Sequence, residues 1–236
     1  MTNLLLDIGN STVVSAHYDT QIVTEVKRKS IKEFEKELST IPYKTYKTIT
    51  VSSVVPELDT QLLKVAPQCY HITHHTIPYL TLNMTHPETV GADRLVNAVA
   101  AHKIYKKNCL IVDSGTAITF CHVDQNGTYN GGSIFPGMKI ASKALNLYTA
   151  KIPLIEVSSQ PNLIGKTTEE AVRIGLYYGY IQLLNGMIKK YRKTLKDITV
   201  IGTGNGLEIL KNHIDLDFFD PDLTLKGLSF CHTNKV

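Results

Sequence analysis

The chain has 236 residues, 43% of them apolar and 19% charged, with a formal net charge of +4. That length holds one large domain or two small ones, each with its own buried core, and the composition excludes a disordered chain. Lys and Arg are scattered, and the densest group, Lys189-Lys190-Tyr191-Arg192-Lys193, reads as the solvated end of a helix, so no nucleic-acid partner is expected.

In chain order, Asn3 to Leu6 reads as a buried strand, and Asp7-Ile8-Gly9-Asn10-Ser11 as a tight turn. Strands follow over Thr12 to Tyr18 and, after a turn near Asp19-Thr20, over Gln21 to Lys27. Ile31 to Leu38 has helical spacing, Tyr46 to Val51 is a strand, and Pro56 to Val65 is a helix with Pro in its first turn. Pro78 to Met84 is extended, and Gly91 to Tyr105 is a helix favoured by its alanines. Strands at Asn108 to Val112, Ala117 to Val123 and Thr128 to Ile134 enclose the turn Asp113-Ser114-Gly115-Thr116 and the hairpin signal Asn126-Gly127. Helices are expected over Met138 to Leu147, over Thr167 to Leu195 as one or two helices, and over Leu207 to Asn212. A strand at Ile198 to Ile201 ends in Gly202-Thr203-Gly204-Asn205-Gly206, and Leu223 to Phe230 is assigned to no element.

No apolar run approaches the ~18 residues that span a bilayer, and Asp7 cuts Leu4-Leu5-Leu6 too short for a signal peptide. Cys69, Cys109, Cys121 and Cys231 show no C-x-x-C spacing, which suits a reduced, cytoplasmic protein without a membrane partner. His71, His74 and His75 match no standard zinc spacing.

Two segments share one plan: Leu4-Leu5-Leu6-Asp7-Ile8-Gly9-Asn10-Ser11 and Leu110-Ile111-Val112-Asp113-Ser114-Gly115-Thr116-Ala117. Each is an apolar strand, then Asp-x-Gly, then a further strand. This implies an α/β protein built by duplication, with domains over residues 1–106 and 107–236. A strand after the glycine disfavours the strand-turn-helix of a dinucleotide fold. The glycine lets a hairpin backbone approach an anion, and Ser11, Thr12 or Thr116 can donate to phosphate oxygens. Asp7 and Asp113 suit phosphates only with a cation between, and Mg2+ takes carboxylate, water and phosphate oxygens. As residues alone, Asp93 reads as a charge favoured at a helix N-terminus and Arg94 beside it as a surface ion pair. Gly175, Gly179 and Gly186, among Tyr177, Tyr178 and Tyr180, serve close helix packing or a dimer face.

Two such turns resemble the sugar kinase, Hsp70 and actin superfamily. Within it the chain resembles type III pantothenate kinase, through Asp7-Ile8-Gly9-Asn10-Ser11, Pro87-Glu88-Thr89-Val90-Gly91-Ala92-Asp93-Arg94, Asp113-Ser114-Gly115-Thr116-Ala117, Gly131-Gly132-Ser133-Ile134-Phe135-Pro136-Gly137 and Ile164-Gly165-Lys166-Thr167-Thr168. The resemblance implies an actin/Hsp70-like (ribonuclease H-like) pair of mixed sheets flanked by helices, and ATP-dependent phosphorylation of pantothenate. It implies an ATP phosphate loop at Asp7, Ile8, Gly9, Asn10, Ser11, Thr12, Val13 and Val14, with Mg2+ on Asp7 through water, and an ATP contact at Thr116. It further implies pantothenate contacts at Gly91, Ala92, Asp93, Arg94 and Thr168, with Asp93 as proton acceptor, and a K+ or NH4+ ligand at Asp113. A homodimer is implied too. Met84 stands where the family often has a substrate-contacting Tyr, Ser11 where it often has Thr, and Asn205 where it often has Gly. Taken alone, the residues leave open a kinase for another small hydroxy acid or sugar, or an ATP-binding regulator without transfer.

Overall fold

The computed structural model describes residues 2–19, 22–159 and 161–232. Thr20 of the first expected turn and Gln21 at the start of the next strand lie outside the described residues. The elements in order are β1 (Asn3–Ile8), β2 (Thr12–Asp19), β3 (Ile22–Ser30), α1 (Ile31–Glu37), β4 (Ile49–Ser53), α2 (Pro56–Val65), β5 (Tyr70–His71), β6 (Thr81–Leu82) and α3 (Ala92–Tyr105). Then follow β7 (Cys109–Ser114), β8 (Ala117–Val123), β9 (Thr128–Pro136), α4 (Met138–Tyr148), α5 (Thr168–Thr194), β10 (Thr199–Thr203), β11 (Phe218–Phe219) and α6 (Leu223–His232).

The chain divides into two compact units: Met1–Lys106 with Val123–Gly131 and Asp222–Val236, and Lys107–His122 with Gly132–Pro221. The duplication alone suggests a single cut after residue 106. Instead the first unit takes back α6, because Leu225, Leu228 and Cys231 bury with Leu5 of β1 and Val96 and Val99 of α3.

In the first unit the sheet order is β3-β2-β1-β4-β5. β1 runs antiparallel to β2 and parallel to β4. Strand side chains alternate between faces, and β1 is covered on both. Leu4, Leu6 and Ile8 join Ile49 and Val51 against Phe34 of α1 and Leu58 and Leu62 of α2. Leu5 points the other way, onto α3 and α6. That is why β1 reads as a continuous apolar run rather than an alternating one. β6 pairs parallel with the first residues of β9, Thr81 with Thr128 and Leu82 with Tyr129.

In the second unit β11-β10-β7-β8-β9 are neighbours in that order. β7 takes the place of β1, with its hairpin partner β8 on one side and the parallel strand β10 on the other. The strand order is the same as in the first unit, so the duplication expected from the two Asp-x-Gly segments holds at the level of topology. Leu110, Val112, Ile118 and Phe120 pack on Leu176, Tyr177, Leu184 and Ile188 of α5.

Several expectations change. The 167–195 region is one helix of 27 residues, because one face packs apolar side chains on the core from Val172 to Tyr191, buried between Leu176 and Ile188, and holds it together past its glycines. Residues 207–212 form no helix; two short 3-10 turns, Asn205–Leu207 and Lys211–His213, stand there. Only Thr81–Leu82 of the 78–84 segment is strand, and Tyr79 adopts φ 67°. Leu223 to Phe230, assigned to no element from sequence, is helix α6, buried on several sides, at Leu223, Leu225, Leu228 and Cys231.

α6 approaches α3 closely at Gly227, where a Cβ would collide with the backbone carbonyl of Val96. Gly227→Ala gains up to about 1 kcal/mol of helix propensity, but the Val96 carbonyl cannot swing aside as a flexible side chain would, so the overpacking costs about 2–3 kcal/mol, the upper part of the usual range. The variant is expected to melt roughly 3–6 °C lower. A thermal scan showing an equal or higher Tm rules out this seating of α6.

Candidate functional site

Asp7 is near the end of β1, level with Val14 on β2 and Ser52 on β4. Beyond it the chain bends: the Gly9 N–H donates to the Thr12 carbonyl at 3.0 Å, and a Cβ on Gly9 would stand 3.2 Å from that oxygen. Asn10, Ser11 and Thr12 are exposed on the bend, offering hydroxyls and an amide to an anion. Ile8 and Val13 put their side chains into the core beside Phe34. Val14 lies against the α3 side of the sheet.

The Gly91-Ala92-Asp93-Arg94 segment starts α3, with Gly91 as N-cap at φ −58°. That backbone is open to any residue, so the need for glycine lies elsewhere. A Cβ on Gly91 would stand 2.5 Å from Asp93 Oδ1 and 3.3 Å from Val54 Cγ1. The missing side chain leaves room for the Asp93 carboxylate to fold back, where Oδ1 accepts the Arg94 N–H at 2.8 Å. Val54 in turn donates its N–H to the Ile8 carbonyl at 3.0 Å, so the start of α3 lies over the ends of β1 and β4. Leu5 and Val96 share one core cluster. Asp7 lies two residues beyond Leu5 and Asp93 three before Val96, so both face the layer between sheet and helix. Ser52, in register with Asp7, is fully buried in the same layer.

Burial pushes the Asp93 carboxyl above the ordinary range, against the opposing pull of the Arg94 N–H, the Arg94 guanidinium and its own N–H. The Arg94 guanidinium lies 6.0 Å from the ring centre of Tyr129, which is wholly buried. The Tyr129 carbonyl accepts the Asn83 N–H at 3.0 Å, and the next residue, Met84, lies against Gly131, whose Cβ would come 3.0 Å from Met84 Sδ. Met84 and Arg94 thus both reach the 129–131 stretch. Tyr129 gives no signal in sequence, because a lone aromatic in a strand reads as core.

In the second unit, Asp113 is next to last in β7, opposite Thr203 of β10. Gly204, at φ 86°, passes so close that a Cβ would collide with Asp113 Oδ1 and the Ser114 carbonyl; a Cβ on Gly206 would strike the Ser114 hydroxyl. The third glycine loop is therefore shaped by the second acidic bend beneath it. The carboxylate, carbonyl and hydroxyl oxygens gathered there suit a hard cation. Thr116 accepts the Gly137 N–H at 2.9 Å through its carbonyl. Thr168 is exposed at the start of α5, beside the N-cap Thr167, whose hydroxyl accepts the Glu170 N–H at 3.1 Å.

The remaining singled-out residues have other partners. His71 Nδ1 lies 3.8 Å from Asp59 Oδ1, and the His74 and His75 rings lie 3.8 Å apart. Among the described residues no three His, Cys, Asp or Glu are placed to hold a metal together. Tyr177 and Tyr180 are buried in the core of their own unit rather than on an outer face. Arg192, in the basic cluster, bonds Asp215 and Asp217.

Because burial raises the Asp93 carboxyl, the folded chain keeps that proton to higher pH than the unfolded chain, and stability falls as pH rises past the ordinary carboxylate value of about 4. Asp93→Asn keeps the oxygen that faces the Arg94 N–H. It is expected to raise Tm at pH 7 and to lose that advantage toward pH 4. A gain that is the same at both values, or absent at pH 7, contradicts the burial argument.

The family model for type III pantothenate kinase matches residues 3–190. The type III pantothenate kinase of Exiguobacterium sp. is 33% identical over 95% of this chain and 96% of its own length. That of Rubrobacter xylanophilus is 37% identical over 75% of this chain and 72% of its own. Among solved structures, a Campylobacter jejuni protein named for the Baf family of transcriptional activators aligns with a TM-score of 0.65 at 22% identity, over 98% of this chain and 97% of that one, a likeness of fold alone. With the duplicated sheets, the glycine-capped acid on α3 and a family match over most of the sequence in hand, the chain belongs to the type III pantothenate kinase family.

Proposed function

We propose that the chain transfers the γ-phosphoryl group of ATP to the primary hydroxyl of pantothenate, giving 4'-phosphopantothenate, the first step of coenzyme A synthesis. The observation that carries this is the shared layer in the first unit: the Asp7 bend, with its exposed polar residues, and the deep-set Asp93 carboxylate lie on one face of the sheet. Phosphoryl transfer needs positioning and charge neutralisation more than covalent chemistry. Asn10, Ser11 and Thr12, with backbone N–H groups of the 7–14 stretch, hold phosphate oxygens, and Asp7 holds Mg2+ through water. Asp93 accepts the proton leaving the acceptor hydroxyl, and its raised carboxyl is the better base for that task. Arg94 binds the pantothenate carboxylate, while Gly91, Ala92, Met84 and Thr168 contact the same substrate. In the second unit Thr116 contacts ATP and Asp113 holds K+ or NH4+. When bound, the cations offset the negative charge of the phosphates.

Cytoplasmic operation belongs to this reading; Cys109, Cys121 and Cys231 are buried, and no described helix is long and apolar enough to cross a membrane. So does a homodimer. Gly175, Gly179 and Gly186 lie on one exposed face of α5, and a Cβ on any of them would meet nothing, so packing within the described chain does not explain these helix-weakening residues. Gly179→Lys is expected to turn a dimer into a monomer in light scattering after size exclusion. A wild-type monomer, or a variant that stays dimeric, contradicts this assignment.

ADP release is expected to depend on pantothenate and Mg2+ and to fall when Na+ replaces K+. Asp93→Asn is expected to lower kcat by about 10²–10⁴. Turnover with a sugar or another hydroxy acid in place of pantothenate redirects the substrate assignment. Nucleotide binding without any phosphorylated acceptor supports a regulator instead.

A further inference from the structure

The hydroxyls along β4 and just beyond it are nearly all accounted for. Thr50 Oγ1 lies 3.3 Å from His232 Nδ1, and Ser53 Oγ accepts the Val55 N–H at 3.2 Å. Ser52 is the exception: it is 0% exposed and its Oγ has no hydrogen-bond partner. A buried hydroxyl without a partner weakens the fold, since water would have satisfied it in the unfolded chain. The strand would be more stable with alanine there. Ser52 also stands in register with Asp7 on the face that α3 covers.

We propose that the Ser52 hydroxyl is a positioning group for the divalent cation of the phosphoryl-transfer site. With the cation bound, its lone pairs would accept a hydrogen bond from a water on the cation and its O–H would turn to donate to the Asp7 carboxylate, fixing the orientation in which Asp7 would hold that water. A carboxylate alone binds a hydrated cation loosely; a neighbouring hydroxyl that both donates and accepts narrows the arrangement. The inference rests on the kinase reading above.

The test uses the intact chain with Ser52→Ala and Ser52→Cys, the second keeping the volume while replacing the hydroxyl by a poor hydrogen-bonding thiol. Without nucleotide or metal, Ser52→Ala is expected to melt at or above the wild-type Tm. In the presence of ADP, binding of Mn2+, followed by its paramagnetic resonance, is expected to weaken about 10-fold in both variants. The Mg2+ concentration for half-maximal turnover should rise by a similar factor, while the KM for pantothenate stays within about two-fold of wild type. A purely structural hydroxyl gives the reverse pattern: a lower Tm for Ser52→Ala and unchanged Mn2+ affinity, which overturns the proposal. If the wild-type chain itself neither binds Mn2+ with ADP nor phosphorylates pantothenate, the kinase reading falls and this inference with it. If the wild type does both and the variants match it, only the role of Ser52 is lost.

Discussion

A strand covered on both faces has to be apolar through its covered middle, and the acid near its carboxyl end then falls where the layers open. β1 obeys this constraint through Leu4, Leu5 and Leu6, with Asp7 as its first acid; β7 obeys it through Leu110, Ile111 and Val112, with Asp113. Each acid is flanked by a hairpin strand and a parallel strand, so it sits where its own strand and the parallel one deliver their carboxyl ends. Crevices at those ends are where open α/β sheets bind ligands. The glycine two residues later is the necessary companion. At Gly9 it lets the bend close on Thr12, and at Gly115 the N–H returns to the Ala117 carbonyl at 2.9 Å, so the second bend is tighter by one residue.

Asp93 works from a helix rather than a strand, and its environment has two sides. Its carboxylate takes a backbone N–H at the start of α3, which favours the charged form, yet burial favours the protonated one more strongly. The bond to the Arg94 N–H and the proposed base role need the same placement, and the absent Cβ of Gly91 provides the space for it. Arg94 adds a positive charge one residue away, with its plane near Tyr129. On the proposed kinase reading, a single turn of helix thereby places the proton acceptor beside the group that binds the substrate carboxylate.

The sequence was most readable where signals are local. The Asp-x-Gly repeat implied the duplicated topology, Pro56 and Val65 bounded α2 as read, and Gly91 marked the start of α3 to within one residue. Local signals failed where distant packing decides. Leu223, Leu225, Leu228 and Cys231 are buried on several sides of α6, so they show no single stripe. Gly204 and Gly206 are dictated by Asp113 and Ser114, some ninety residues earlier in the chain, and this pins the 202–212 stretch into short turns instead of the expected helix. For the site, the short motifs named Asp7, Asp93, Arg94 and Asp113. They were silent on Tyr129 and Ser52, whose meaning comes only from which strand lies alongside.

The return of α6 to the first unit bears on how the protein is made. Leu5, Val96 and Val99 belong to a core completed by Leu225 and Leu228, so on the ribosome the face of α3 that α6 covers stays open while the whole second unit is synthesised. The nascent chain carries that uncovered apolar face through the synthesis of the 117 residues between α3 and α6 (106–222), and the candidate site at the other end of α3 acquires its full support only as α6 emerges from the exit tunnel.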